Sequence, residues 1–382
     1  MANLFGRSPT ILVVAGEESG DMRAASLVEE IKRSSPGIRF IGVGGERLRR
    51  AGVETFADIN QLAVIGFTEV IKHFPRIKTV FALCVKKIRD EKPDAVLLVD
   101  YPGFNLRLAK KAKALGTKVL YYVSPQVWAW KEYRLKTIKR VVDRMMVLFP
   151  FEKEYYAKKN FRADFVGHPL LDELKPTRSR EETLKDLGLL TEKTTLALLP
   201  GSRRNEIDRI LPEMAGAVRL LKKSAPHLQI VLLKARNLPR EMFLKHLTPN
   251  DGITITENYT NTLNICDLAI VASGTATLET AVLQKPLVVV YKTSALSAFL
   301  IRLLLRIPFV SLVNIISGRK IVEELLQKDC TAERIAKETA RILEDAAYRD
   351  TMKRDLKTLR DLLGETGASR RAAVVVLEEL KK

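Results

Sequence analysis

Short runs that are apolar at nearly every residue, such as Thr10–Ala15, Ala95–Val99, Thr195–Leu199 and Leu268–Ala272, recur along this chain between amphipathic stretches. A strand with one wet face alternates apolar and polar residues, whereas an unbroken apolar run is buried on both faces. Repeated with helices between, the pattern requires parallel sheets covered by helices on both sides. Further strands are expected at Arg39–Val43, Val119–Val123, Arg144–Phe149 and a short one from Ala163, then at Gln229–Leu233, Ile253–Thr256 and Leu287–Tyr291. A chain of 382 residues is long for one core. The fold class expected is α/β, with two tandem Rossmann-like, doubly wound domains facing a cleft. Residues 1–170 form the first, 171–345 the second, and 346–382 a helical segment that packs back on the first domain or on a partner subunit.

The strand ends carry the chemistry. In Val271-Ala-Ser-Gly-Thr-Ala-Thr-Leu-Glu-Thr-Ala-Val282 a buried strand breaks at Gly274 and a helix begins. Unpaired N–H groups and a partial positive charge suit a helix N-terminus to phosphate. The same device is read at Leu199-Pro-Gly-Ser-Arg203, followed by Arg204. Two such sites point to a phosphorylated ligand. Ser273, Gly274, Thr275, Ala276, Thr277 and Glu279 are candidates at one, and Gly201, Ser202 and Arg203 at the other.

In the first half, Gly16-Glu-Glu-Ser-Gly-Asp21 is too acidic for a pyrophosphate. It is either a tight turn capped by Ser19 or Asp21, or a loop holding sugar hydroxyls through Glu17, Ser19, Gly20 and Asp21. Asp100 ends a buried strand in Val99-Asp-Tyr-Pro-Gly-Phe-Asn105, where desolvation raises basicity. It is either a general base or a turn cap. Both tryptophans fall in Ser124-Pro-Gln-Val-Trp-Ala-Trp130, so Ser124 and Trp128 either line the acceptor site or pack internally. His168 before Pro169 is a ligand contact or a structural residue.

The net charge of +19 and pI near 9.8 imply an acidic partner. No helix-turn-helix signal or aromatic-basic strand supports nucleic acid. Two segments suit an anionic membrane surface instead: Gln61–Phe74, with Val64, Ile65, Phe67 and Val70, and Ala298–Phe309, with Arg302 and Arg306 about one helical turn apart. No run reaches the ~18 apolar residues of a spanning helix, and Met1–Arg7 lacks a signal-peptide pattern. Three scattered cysteines fit a reducing compartment and make no zinc site. There is no Asp-x-Asp to hold a divalent ion on a diphosphate, so no metal and no cofactor are expected.

Taken with Tyr122-Val-Ser-Pro-Gln-Val-Trp-Ala-Trp130, Phe149-Pro-Phe-Glu152, Ala272-Ser-Gly-Thr-Ala276 and Val310-Ser-Leu-Val-Asn314, these motifs resemble the lipid-A-disaccharide synthases nearly end to end. These are bacterial glycosyltransferases of the two-Rossmann-domain, B-type fold. The resemblance implies transfer of 2,3-diacylglucosamine from UDP to 2,3-diacylglucosamine 1-phosphate, giving the β-1,6 disaccharide and UDP. It implies Asp100 as the base or essential carboxylate, Glu279 on the donor nucleotide and Asn314 beside it. It also implies a metal-free enzyme on the cytoplasmic face of the inner membrane, and a homodimer through exchanged C-terminal portions. Glu18 stands where a Thr is common in the family. The alternatives are another B-type glycosyltransferase or a UDP-N-acetylglucosamine epimerase. The muramyl-lipid enzyme of that fold is expected to carry Gly-Gly-x-Gly-Gly-His in its first turn, which this chain lacks.

Overall fold

The computed structural model describes residues 8–62, 67–129, 131–293 and 308–382, with the backbone alone described for 67–74. It divides into two compact units, Met1–Pro169 with Leu363–Lys382, and Leu170–Leu362.

The first unit is built on a parallel sheet of seven strands: β1 Thr10–Ala15, β2 Arg39–Gly44, β3 Glu54–Asp58, β4 Ala95–Val99, β5 Lys118–Tyr122, β6 Arg144–Val147 and β7 Ala163–Phe165. Their order is β3-β2-β1-β4-β5-β6-β7. Ile11 of β1 lies opposite Phe40 of β2 and Ala95 of β4, so β1 is paired on both edges. Side chains alternate across a strand. Leu12, Val14, Val96, Leu98 and Tyr121 therefore share one face, where they meet Val80, Cys84, Leu108 and Ile138 from the helices Phe67–Glu91, Pro102–Ala114 and Arg134–Val141. The helices Glu18–Ser34 and Ala368–Leu380 pack on one another and on β1, β4 and β6.

The second unit repeats the plan with six parallel strands: β8 Thr195–Leu199, β9 Gln229–Leu233, β10 Ile253–Thr256, β11 Leu268–Ala272, β12 Leu287–Tyr291 and β13 Glu324–Leu326. The order is β10-β9-β8-β11-β12-β13. In both sheets the winding reverses beside the first strand, between β1 and β4 and between β8 and β11.

Several boundaries differ from the sequence reading. β6 stops at Val147 because Phe149 becomes the N-cap of the helix Pro150–Lys158. Val123 leaves β5 with a φ of 67°. The edge strands β3 and β13 carry no continuous apolar run. The tail does not act as one segment from 346. Its helix Ala346–Leu362 stays in the second unit against the helix Thr275–Val282, and only the chain from Leu363 joins the first. There Arg371 Nε donates to the Val166 carbonyl at 2.8 Å and Lys118 Nζ to the Glu379 carbonyl at 2.8 Å. The three cysteines are buried and free.

Candidate active site

Ligands of doubly wound sheets lie beyond the carboxyl ends of the strands where the winding reverses. In the first unit that point is flanked by the Gly16–Asp21 turn after β1 and by Asp100 after β4. In the second it is flanked by Gly201–Arg203 after β8 and Ser273–Thr275 after β11. Topology alone thus gathers these strand-end candidates within each unit.

Asp100 and Tyr101 both adopt left-handed backbone, with φ of 48° and 44°. Each costs of order 1–3 kcal/mol unless the surroundings enforce it. Here they do. The Asp100 N–H donates to the Tyr122 carbonyl at 2.9 Å, and its own carbonyl accepts from Tyr121 Oη at 2.6 Å and Asn105 Nδ2 at 2.8 Å. Tyr101 Oη donates to the Leu62 carbonyl at 2.8 Å, and its ring lies so close to Gly16 that a Cβ there would come within 2.4 Å. The turn and the aspartate are therefore built against each other. Burial pushes the Asp100 carboxyl up to about 6; Glu17 adds to the rise, while Arg23 and the Tyr101 N–H oppose it. Arg23, whose buried Nε has no partner among the described residues, was not visible as a site residue in the sequence.

The rest of the acceptor set separates. Glu17 is exposed and caps nothing with its side chain, Ser19 is half-buried, and Gly20 is buried at the helix start. Asp21 turns inward: it is buried, taking the Gly45 N–H at 2.5 Å and the Arg47 N–H at 3.1 Å, and so caps the helix Glu46–Arg50. Ser124 is likewise internal, its Oγ 2.8 Å from Tyr156 Oη. Trp128 Nε1 donates to Glu152 Oε1 at 3.2 Å, and its ring meets Phe151 edge-on at 4.9 Å. Phe151 stacks on Phe149, which touches the buried ring of His168 at 5.3 Å. Burial holds the His168 imidazole down to about 3, with Arg23 adding to the effect, so the ring is neutral at working pH. Burial raises the Glu152 carboxyl to about 7 against the Trp128 and backbone N–H donors. Glu152 was visible only as the fourth residue of a motif; its position three after the N-cap Phe149 was the signal. Trp130 lies outside the described residues.

The two anion sites of the second unit are not equivalent. At the first, Glu206 Oε2 already accepts the N–H groups of Ser202 and Arg203, at 3.1 and 3.3 Å, and Oε1 pairs with Arg203 Nη1 at 3.0 Å. A Cβ on Gly201, whose φ is 113°, would fall 2.4 Å from that carboxylate. The backbone donors expected to bind phosphate are engaged internally, which leaves the exposed side chains of Arg203 and Arg204. At the second, Gly274 is an exposed N-cap with no side-chain cap, and Thr275 is exposed. Thr277 is fully buried and its Oγ1 turns back to the Gly274 carbonyl at 2.7 Å, so it faces the core rather than a ligand. Glu279 is half-buried one turn along, beside Tyr259, whose hydroxyl is driven well above its ordinary value by burial and then by the Glu279 charge.

Asn314 lies in the interior of the second unit. It is fully buried, its Oδ1 takes the N–H groups of Ile321 and Val322 at 2.8 and 3.1 Å, and its Nδ2 donates to the Val322 carbonyl and to Glu324 Oε1. Its amide fastens a loop. Asn314→Ala is expected to lower stability by about 1–3 kcal/mol through the groups left unsatisfied, read as a fall in Tm. An unchanged Tm with weakened UDP binding would return Asn314 to the nucleotide site. Val64, Ile65, Arg302 and Arg306 lie outside the described residues, as do the side chains of Phe67 and Val70. Among the described residues no His, Cys, Asp and Glu cluster could hold a metal ion.

A family model for lipid-A-disaccharide synthetase matches residues 11–378. The chain belongs to that family. The lipid-A-disaccharide synthase of Syntrophus aciditrophicus is 45% identical over 378 residues, covering 98% of this chain and 99% of the relative. That of Myxococcus xanthus is 44% identical, covering 97% and 98%. Among solved structures, the UDP-GlcNAc 2-epimerase from Neisseria meningitidis bound to UDP-GlcNAc superposes with a TM-score of 0.66 over 97% of this chain and 100% of that one, at 13% identity. The MurG of Acinetobacter baumannii superposes with a TM-score of 0.57 over 97% and 99%, at 14% identity. Likeness at that identity shows the fold alone, the two-domain B-type architecture. The epimerase alternative is a distant structural match only, and the glycosyltransferase reading of a lipid-A-disaccharide synthase family member stands.

Proposed function

We propose that the chain joins 2,3-diacylglucosamine, delivered on UDP, to the 6-hydroxyl of 2,3-diacylglucosamine 1-phosphate, releasing UDP. The observation that carries the reading is Asp100: a half-buried carboxylate on left-handed backbone, with a raised pKa, at the winding reversal of its sheet. A sugar hydroxyl does not ionise near neutrality, so its proton must leave as the new bond forms. Asp100 takes that proton while the hydroxyl oxygen bonds to the donor's anomeric carbon. The bond from that carbon to the phosphate oxygen breaks, and its electron pair leaves with UDP. One displacement inverts the centre, turning an α-linked donor into a β-linked product.

The leaving diphosphate needs positive charge. The uncapped helix start at Gly274–Ala276 and the side chains of Arg203 and Arg204 supply it. Glu279, one turn along, suits the ribose hydroxyls. That the Neisseria epimerase was solved with UDP-GlcNAc supports a UDP-sugar donor. No helix among the described residues is long and apolar enough to cross a membrane. The acylated substrates and the charge of +19 favour an enzyme held on the cytoplasmic face of the inner membrane, and a homodimer through C-terminal exchange remains part of the reading. Mass spectrometry of the product from UDP-2,3-diacylglucosamine and 2,3-diacylglucosamine 1-phosphate tests it; the disaccharide 1-phosphate is expected. EDTA is expected to leave the rate unchanged. Inhibition reversed by magnesium would replace the metal-free route.

A further inference from the structure

The two faces of the first unit differ sharply in charge. On one lie the helices Phe67–Glu91, Pro102–Ala114 and Arg134–Val141, which share a single core cluster beneath them. From residue 75 onward, their exposed charged side chains are eleven basic and one acidic, the latter Asp90. On the helices Glu18–Ser34, Glu46–Arg50 and Ala368–Leu380 the count is five basic to four acidic. Such a bias does not come from composition, because both sets belong to one folded unit. Nor is it neutralised locally: Arg107, Lys110, Lys111, Lys136 and Arg140 form no ion pair among the described residues. In Pro102–Ala114 the exposed charges are Arg107, Lys110, Lys111 and Lys113; Lys113 pairs with Asp143, and the unpaired Arg107, Lys110 and Lys111 lie three to four residues apart, on one side of the helix. Tyr133, 70% exposed, stands at the start of the third helix beside Lys136 and Arg140, an amphipathic ring of the kind that sits at headgroup level.

We propose that this three-helix face is the surface by which the protein docks on an anionic phospholipid bilayer. The choice of a bilayer over a nucleic acid rests on the acylated-substrate reading; the charge asymmetry does not. Side chains on this face meet headgroup phosphates through electrostatic attraction that fades within a Debye length. Docking is therefore strong at low salt and is reversed by salt.

The test is vesicle co-sedimentation of the full chain, without substrates, on phosphatidylethanolamine–phosphatidylglycerol vesicles and on phosphatidylcholine vesicles. Lys110→Gln/Lys111→Gln/Lys136→Gln is expected to lose at least roughly tenfold in apparent affinity for the anionic vesicles. Arg33→Gln/Arg47→Gln/Arg370→Gln removes as many charges from the other helices and is expected to bind like wild type. Equal losses in the two triple variants, or none in the first, would overturn the proposal. So would wild-type binding to random RNA that outcompetes the vesicles and is lost in the first variant. Tyr133→Ser alone, expected to weaken vesicle binding severalfold, covers the case in which the triple variant does not fold, and wild-type affinity for it would then count against the face. Turnover of detergent-dispersed substrates is measured separately. Normal turnover in a variant that no longer binds vesicles supports docking, whereas absent turnover in wild type bears on the reaction and leaves the vesicle result standing.

Discussion

Asp100→Asn is expected to lower kcat by ~10²–10⁴-fold, the usual effect of removing a general base, with UDP affinity within a few-fold of wild type. Asparagine is the informative replacement because it tolerates the left-handed backbone that Asp100 adopts at φ 48°. The Tyr121 and Asn105 bonds go to the main-chain carbonyl and survive the change. In wild type the rate is expected to rise with pH through about 6, as the half-buried carboxyl gives up its proton; the variant's residual rate should lack that limb. Stability moves the other way. A carboxyl raised in the folded state contributes stability fully below its unfolded value, ~3.9, and loses it as pH rises through about 6. Above that, wild type holds a partly desolvated charge that the amide does not. Asp100→Asn should therefore match or exceed the wild-type Tm at pH 8, with the advantage shrinking below pH 4. Activity within a few-fold of wild type would remove Asp100 from the chemistry. A collapse of Tm at pH 8 would make it a structural residue.

The strands read most easily from sequence were those with no wet face. β1, β4, β8 and β11 are buried along their whole length, so their apolar runs are unbroken. β3, Glu-Thr-Phe-Ala-Asp, is half exposed at a sheet edge, and β13 has only three residues; neither gives a pattern that stands out from a loop. For the site, position was legible and partnership was not. Asp100, Gly274 and the Gly16 turn follow buried strands, and topology gathers strand ends. Whether a polar side chain near a strand end faces a ligand or a backbone depends on neighbours distant in sequence. Asp21 finds its partners at Gly45 and Arg47, and Ser124 finds Tyr156, 32 residues on. Glu206 was the exception. It lies three residues after the N-cap Arg203, the spacing at which a glutamate reaches back to the first free N–H groups. That spacing was the available signal that the Gly-Ser-Arg turn was already occupied.

This difference between the two turns determines where donor affinity should reside. With the Ser202 and Arg203 N–H groups held by Glu206, the open backbone donors are those of the helix starting at Thr275, and Glu279 projects from the same helix. Glu279→Ala is expected to raise the UDP dissociation constant by ~10–150-fold, the equivalent of about 1.5–3 kcal/mol for hydrogen bonds to a charged acceptor. Glu279→Gln keeps an acceptor oxygen and should recover part of the loss. If the glutamate meets ribose hydroxyls, UDP should lose far more affinity than inorganic pyrophosphate, which has no ribose. Titration calorimetry with both ligands reads the difference. Equal losses for the two would place Glu279 in the support of the phosphate-binding helix start. Unchanged UDP affinity would move the nucleotide away from this helix altogether.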